Sequence, residues 1–92
     1  VHLRRAVELD ATAASYWNSL GMLLGGTGDL AGAEPAFRQA LSRDGRNPQY
    51  AYNLGLALAR QGKTAEARAA FEQALSIDPR FAAARQRLAE LR

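Results

Sequence analysis

The sequence predicts an all-α fold, built as a stack of antiparallel helix pairs, on three observations. When the 92-residue chain is shifted by 34 positions, residues 14–47 align with residues 48–81 at fifteen identical positions, whereas shared composition alone gives about four. The identical apolar residues recur at helical spacing within each unit. Gly28 and Gly62 stand where the two helices of each unit should meet, as expected for a helix C-terminus that needs a positive φ.

The repeat divides the chain into parts of one domain. We expect the tail of a preceding second helix, two full helix pairs and a closing helix over residues 1–13, 14–47, 48–81 and 82–92, respectively. The first part rests on a match of Leu3, Ala6, Val7 and Asp10 with Phe37, Ala40, Leu41 and Asp44. Because a single helix pair cannot bury its own apolar face, each unit is expected to depend on its neighbours for stability.

Small residues and phenylalanines should form the core between the helices. The second helix of the second unit carries apolar residues at i, i+3, i+4, i+7 and i+8, namely Ala67, Ala70, Phe71, Ala74 and Leu75. Gly21 and Gly55 occupy equivalent positions in the first helices. Since glycine removes the side chain where helices cross most closely, we expect Phe37 and Phe71 to fill the space beside these glycines.

Pro35 interrupts the predicted second helix of the first unit. A proline inside a helix removes the hydrogen bond to the carbonyl four residues earlier, here that of Ala31, and costs about 3 kcal/mol. We therefore expect either a kink at Pro35 or a delayed helix start near Gly32.

Three aspartates recur at the repeat length and are interpreted as turn residues. Asp10, Asp44 and Asp78 each precede a new helix, where a carboxylate can accept hydrogen bonds from backbone N–H groups. The residue that follows them is Ala11, Gly45 and Pro79, respectively. The repeat separates these carboxylates by whole layers, so we do not expect them to share a metal ion.

Composition excludes several classes of function. The chain has no cysteine, so it contains neither disulfides nor thiolate metal sites. The net charge of +3 arises within residues 80–92, which is too little for a nucleic-acid interface. His2, the single histidine, has no nucleophile placed by the pattern to form a triad. We therefore expect no catalytic residue, no metal and no cofactor.

Gly62-Lys63-Thr64 resembles the end of a phosphate-binding loop but is predicted to be a turn. That motif requires a glycine five residues before its Gly-Lys pair, and Ala57 stands there, while Gly55 lies two residues too early. The preceding segment has helical periodicity, whereas the motif follows a strand.

The repeat resembles the tetratricopeptide repeat in both length and residue types. The positions that carry the resemblance are Trp17, Leu20, Gly21, Ala33, Phe37 and Ala40, and then Leu54, Gly55, Ala67, Phe71, Ala74 and Pro79. This resemblance implies a right-handed superhelical stack. It also implies a non-catalytic protein–protein interaction module, with a concave groove lined by the first helices of the repeats.

The positions that match the groove define the candidate peptide-binding residues, namely Asn18, Met22, Gln49, Tyr52, Asn53, Leu56, Arg60 and Arg87. Arg60 and Arg87 can bind carboxylates, so the expected partner is a peptide or protein segment with acidic character. Asn53 either holds the backbone of a peptide or has a structural role. Some relatives grip a terminal carboxylate with a five-residue clamp, of which only Asn53 and Arg87 match here.

Two alternatives to peptide binding stay open. Leu3, Val7 and Leu9 at one end, and Phe81, Leu88 and Leu91 at the other, form apolar edges through which a homodimer could assemble. The segment could also recruit the substrate of a larger enzyme. The chain has eleven arginines and one lysine, which is consistent with a bacterial gene. It starts with Val, as a piece of a longer reading frame would. None of its apolar runs is long enough to predict a membrane span. We expect a soluble, cytoplasmic location.

Overall fold

Five helices form the fold, which is a computed structural model that describes the backbone of residues 2–91 and the side chains of residues 12–91. The helices are α1 His2–Gly26, α2 Leu30–Arg43, α3 Pro48–Arg60, α4 Thr64–Ile77 and α5 Ala82–Glu90. Consecutive helices pack against each other, and residues 2–91 contain no strand. The predicted all-α stack of helix pairs is confirmed.

The turn within each helix pair is closed by a glycine with a positive φ, as predicted. Gly28 has φ 92° and Gly62 has φ 81°. The residue after each glycine donates its N–H to a carbonyl of the preceding helix, from Asp29 to Leu24 over 2.8 Å and from Lys63 to Leu58 over 3.0 Å. These bonds are typical of a Schellman C-terminus. The Gly-Lys-Thr sequence is therefore a helix–helix turn.

The two helix crossings are equivalent, and each is formed by a glycine and a phenylalanine. A Cβ atom added to Gly21 would lie 2.6 Å from the Phe37 ring, and one added to Gly55 would lie 2.6 Å from the Phe71 ring. Phe37 and Phe71 are both buried. Three fully buried alanines, Ala33, Ala67 and Ala74, belong to the same core cluster as these two rings, and Ala40 is fully buried in a second cluster beside Tyr50. The sequence interpretation of the core is confirmed.

The structure corrects the expected turn near residue 10. Helix α1 is unbroken from His2 to Gly26, so Asp10 and Ala11 lie inside a helix and do not precede a new one. The segment Asp-Ala-Thr-Ala contains neither glycine nor proline, and its alanines favour helix. The side chains of residues 1–11 lie outside the described residues, as does the apolar edge expected at Leu3, Val7 and Leu9. The assignment of residues 1–13 to a preceding unit stays a prediction.

Of the two outcomes expected at Pro35, the delayed helix start near Gly32 is wrong, whereas a kink at Pro35 stays a prediction. The helix begins at Leu30, and the Asp29 side chain accepts a hydrogen bond of 2.9 Å from the Gly32 N–H. This cap satisfies a backbone donor of the first turn and fixes the start of the helix before Pro35 is reached. Pro35 lies inside α2, in its second turn, where it removes a single intrahelical hydrogen bond.

The two later aspartates shape turns, as predicted. Asp44 Oδ1 accepts a hydrogen bond of 3.3 Å from the Arg46 N–H, and Asp78 Oδ1 accepts one of 3.1 Å from the Arg80 N–H. The cap of α3 comes instead from Asn47, whose side-chain oxygen accepts a hydrogen bond from the Gln49 N–H.

Glu34 is the centre of an ion cluster that ties α2 to the turn between α3 and α4. Lys63 Nζ and Gln61 Nε2 donate to its Oε1 over 3.0 and 2.9 Å, and Arg38 pairs with its Oε2 over 3.1 Å. The hydrogen bonds from Lys63 and Gln61 lower the pKa of the Glu34 carboxyl from 4.5 to about 2. The ammonium group of Lys63 thus neutralises a carboxylate of the neighbouring unit.

Glu34→Gln should lower the free energy of unfolding at pH 7 by about 1–2 kcal/mol, because the charged form of Glu34 is stabilised mainly in the folded state. The folded-state pKa is below the unfolded value, so this contribution is complete above pH 4.5 and is lost as the pH falls through about 2. Urea unfolding of both proteins from pH 7 to pH 2 measures the difference. Glu72→Gln, at an exposed residue of α4, is the control. A difference that does not shrink at low pH would contradict the assignment.

Candidate functional site

Two cavities lie next to each other on the face formed by α1, α3 and α5, which we call the first-helix face. The first has a volume of about 260 Å³ and lies between α1 and α3, and the second, of about 250 Å³, lies between α3 and α5. The first is lined by Gly21, Met22, Gly25, Gly26, Leu30, Phe37, Asn53, Leu56, Ala57 and Arg60. The second is lined by Leu56, Ala59, Arg60, Phe71, Arg87, Glu90 and Leu91. Leu56 and Arg60 therefore border both cavities.

The two cavities are related by the sequence repeat. Each residue that lines the second cavity lies 34 positions after a residue that lines the first. The chemistry differs, however, because Asn53 of the first cavity is replaced by Arg87 in the second, and Leu56 is replaced by Glu90. The fold thus repeats the shape of a cavity, while the sequence gives the two cavities different charges.

A chain of polar side chains links α1 to α3 beside the first cavity. Gln49 Nε2 donates to Asn53 Oδ1 over 2.9 Å, and Asn53 Nδ2 donates to Asn18 Oδ1 over 2.7 Å. Asn18 Nδ2 in turn lies 3.6 Å from Met22 Sδ. Asn53 is buried, and both ends of its amide are engaged by these contacts. Of the two roles considered for Asn53, the contacts favour the structural one.

The cationic side chains of the first-helix face differ in their partners. Arg87 lies 3.4 Å from the Glu90 carboxylate and also contacts the Tyr52 side chain, and these neighbours, Tyr52 first, raise the pKa of Arg87 above its usual value. Arg60 is exposed and forms neither an ion pair nor a hydrogen bond with another side chain among residues 12–91. The charge of Arg60 is therefore free to pair with a group from outside this part of the chain.

Tyr52 lies in an aromatic cluster beneath this face. Its ring centroid is 5.6 Å from that of Phe71 and 5.1 Å from that of Phe81. The ring is half-buried, so its packing supports the contact between α3 and α5 and also holds the hydroxyl close to Arg87.

The structure brings together most of the residues that the sequence placed in a groove. Met22, Asn53, Leu56 and Arg60 border the first cavity, and Arg87 joins Leu56 and Arg60 around the second. Asn18 and Gln49 do not line either cavity but hold Asn53, and Tyr52 packs in the aromatic cluster.

Sequence reasoning missed several residues that line the cavities. Phe37 and Phe71 were assigned to the core alone, although each also lines a cavity. In the closing helix the sequence interpretation includes Arg87 but not Glu90, which also lines the second cavity. Continuing the 34-residue spacing from Leu56 would have found it.

Other kinds of site find no support among the described residues. No group of three or more His, Asp or Glu side chains within the described part of the chain is arranged to hold a metal ion. In that same part, none of the helices combines the length and the apolar character that crossing a membrane requires.

Comparison with known proteins agrees with the geometry. The family model of the tetratricopeptide repeat matches residues 18–80, which is more than half of the chain and includes both glycine–phenylalanine crossings. A comparison with curated proteins finds no match. Repeats of this family generally mediate protein–protein interactions and typically form non-catalytic modules. With its 34-residue repeat, stacked helix pairs and family match, the chain belongs to the tetratricopeptide repeat family.

Proposed function

We propose that the first-helix face binds an extended segment of a protein partner that carries an apolar side chain and an acidic side chain. The observation that carries the proposal is the position of Arg60, an exposed guanidinium without a side-chain partner among the described residues, on the border of both cavities. A guanidinium can bind a carboxylate through two parallel hydrogen bonds, so an acidic side chain is the matching group.

The first cavity is suited to an apolar side chain. Met22 and Leu56 border it with flexible apolar side chains, and Phe37 adds an aromatic ring. Gly25 and Gly26 stand where the second cavity has Ala59 and Arg60, and a Cβ atom added to Gly26 would meet nothing within 4 Å. The missing side chains leave this end of the first cavity open to an incoming residue.

The spacing of the cavities sets the spacing of the two anchors on the partner. Packed helices lie about 8–10 Å apart. A segment in the extended polyproline II conformation advances about 3.1 Å per residue and has three residues per turn. Two anchors that enter neighbouring cavities are therefore about three residues apart, because every third side chain of such a segment points to the same side. When an apolar residue of the partner, such as leucine, occupies the first cavity, the residue three positions away from it lies beside Arg60 and Arg87. That residue follows or precedes the apolar one, depending on the direction in which the partner segment binds.

Selection from a display library of random heptapeptides tests this proposal. We expect the enriched peptides to share an apolar residue and an acidic residue three positions apart. Arg60→Ala should weaken the binding of a synthetic enriched peptide about tenfold, and a peptide with Gln in place of the acidic residue should bind both proteins equally. Arg43→Ala, at an exposed arginine of α2 outside both cavities, should leave binding unchanged.

Two results would contradict the proposal. One is a selection that enriches no common pattern. The other is an enriched acidic peptide whose affinity is the same for the native protein and for Arg60→Ala, because binding would then occur elsewhere on the chain.

A further inference from the structure

Helix α1 carries an exposed apolar face that is separate from the first-helix face. Tyr16 and Leu23 are 62% and 65% exposed. They are seven residues apart, which is about two helical turns, so they lie on the same side of α1. Neither residue borders either of the two cavities.

The repeat shows what covers this face when it is buried. The residues 34 positions later are Tyr50 and Ala57, and these are only 8% and 3% exposed. Tyr50 clusters with Ala40 of α2 and with Ala14 of α1, so both helices of the preceding unit cover it. The same tyrosine at the same repeat position is thus buried in one unit and exposed in the other, and the difference is a preceding helix pair, whose second helix supplies Ala40.

The first residues of the chain match the second helix of a unit in sequence. They belong to the first half of α1, however, and therefore lie away from the exposed face of the same helix. Ala6 and Val7 correspond by the repeat to Ala40 and Leu41 of α2. In the structure these residues belong to α1, which is unbroken from His2 to Gly26. Residues ten apart in a helix are separated by about 15 Å along its axis, so the start of α1 cannot cover Tyr16 of the same chain.

We propose that two copies of this chain pair through α1, antiparallel, so that the first half of each helix covers Tyr16 of the other. The pairing repeats the contact between α2 and α3. Ala40 clusters with Tyr50 there, and moving both residues back by 34 positions places Ala6 of one copy beside Tyr16 of its partner. The midpoint of that pair puts the two-fold axis near Ala11 and Thr12.

The sequence near the two-fold axis explains why the first segment of α1 would be exchanged between two copies. The corresponding turns of the later units contain Gly45 and Pro79, which end helices, whereas Ala11 continues one. A hinge that extends into continuous helix prevents the preceding segment from folding back onto its own chain. Exchange of that segment between two copies restores the contact, as in domain swapping.

Light scattering and sedimentation over a concentration series test the pairing. We expect a dimer, with twice the monomer mass of 9.9 kDa, that dissociates on dilution. Tyr16→Glu should raise the dissociation constant at least about a hundredfold, because a two-fold interface contains the substitution twice. Met22→Glu is the matched control. Met22 is also an exposed apolar residue of α1, but it borders the first cavity, so dimerisation should persist.

A disulfide test locates the axis, since the chain has no cysteine of its own. Thr12→Cys should form a disulfide-linked dimer under mild oxidation, because a residue at the two-fold axis meets its own copy. Thr27→Cys, an exposed position just after the end of α1, should stay unlinked.

A monomer at every concentration overturns the proposal and leaves the face to a helix pair outside this sequence. A dimer that is insensitive to Tyr16→Glu, or Thr12→Cys without a crosslink, also overturns it.

Discussion

Phe71→Ala is expected to lower the free energy of unfolding by about 3–5 kcal/mol. The Phe71 side chain is completely buried, and its ring contacts the backbone at Gly55 and the ring of Tyr52. Removing it leaves a cavity between α3 and α4 that the surrounding backbone can close only in part. Because a small domain has a total stability of about 5–15 kcal/mol, this single substitution removes a large share of it.

Chemical denaturation with urea at 25 °C measures the loss. Phe37→Ala should cost a similar amount, since Phe37 occupies the equivalent site beside Gly21. Phe71→Leu fills more of the space and should cost about 1–2 kcal/mol, which keeps the effect measurable if the alanine variant is largely unfolded. Gln73→Ala, at an exposed position of α4, should change stability by less than about 0.5 kcal/mol. An unfolding midpoint for Phe71→Ala close to that of the native protein would contradict the packing.

The crossings and the turns could be predicted from sequence because short-range rules determine them. A glycine at the end of an apolar stripe predicts a left-handed residue, and Gly28 and Gly62 both have one. The alignment of two units places each glycine against the same kind of partner. Two identical side chains that are one repeat apart are therefore expected to have the same environment, as is found for Phe37 and Phe71.

The path of α1 could not be predicted by the repeat alone. Alignment with Gly45 and Pro79 predicts a turn after Asp10, but Ala11 lacks the backbone preferences that end a helix. Local propensity therefore outweighs the repeat at this position. Pro35 is a second case, in which the cap by Asp29 fixes the helix start despite the lost hydrogen bond.

The candidate site was predictable as a set of positions, although the contacts between its residues were not. Repeat spacing places Met22, Leu56 and Arg60 on one face. The engagement of Asn53 depends on Gln49, one turn earlier in α3, and on Asn18 of α1, whose distance from Asn53 is fixed only by packing between the helices. Sequence shows which residues share a face, whereas the structure is needed to show that Asn53 is occupied while Arg60 is not.

Gly55→Ala is expected to destabilise the protein by about 1–3 kcal/mol, although glycine to alanine in an open helix usually stabilises by about 1 kcal/mol. The added Cβ would lie 2.6 Å from the Phe71 ring, which is too close for a ring that is completely buried and cannot move aside. Urea unfolding measures the change. Gly26→Ala is the matched control, because a Cβ there meets nothing within 4 Å and should not destabilise the helix.

The sign of the effect should reverse when the ring is absent. In a Phe71→Ala background the space beside residue 55 is open, so Gly55→Ala should be neutral or stabilising by up to about 1 kcal/mol. The difference between the two backgrounds is the coupling between the glycine and the ring. Additive effects, with the same destabilisation in both backgrounds, would show that Gly55 is required for a reason other than the close approach of Phe71. Measuring Gly21→Ala with and without Phe37→Ala would then tell whether the first crossing follows the same rule.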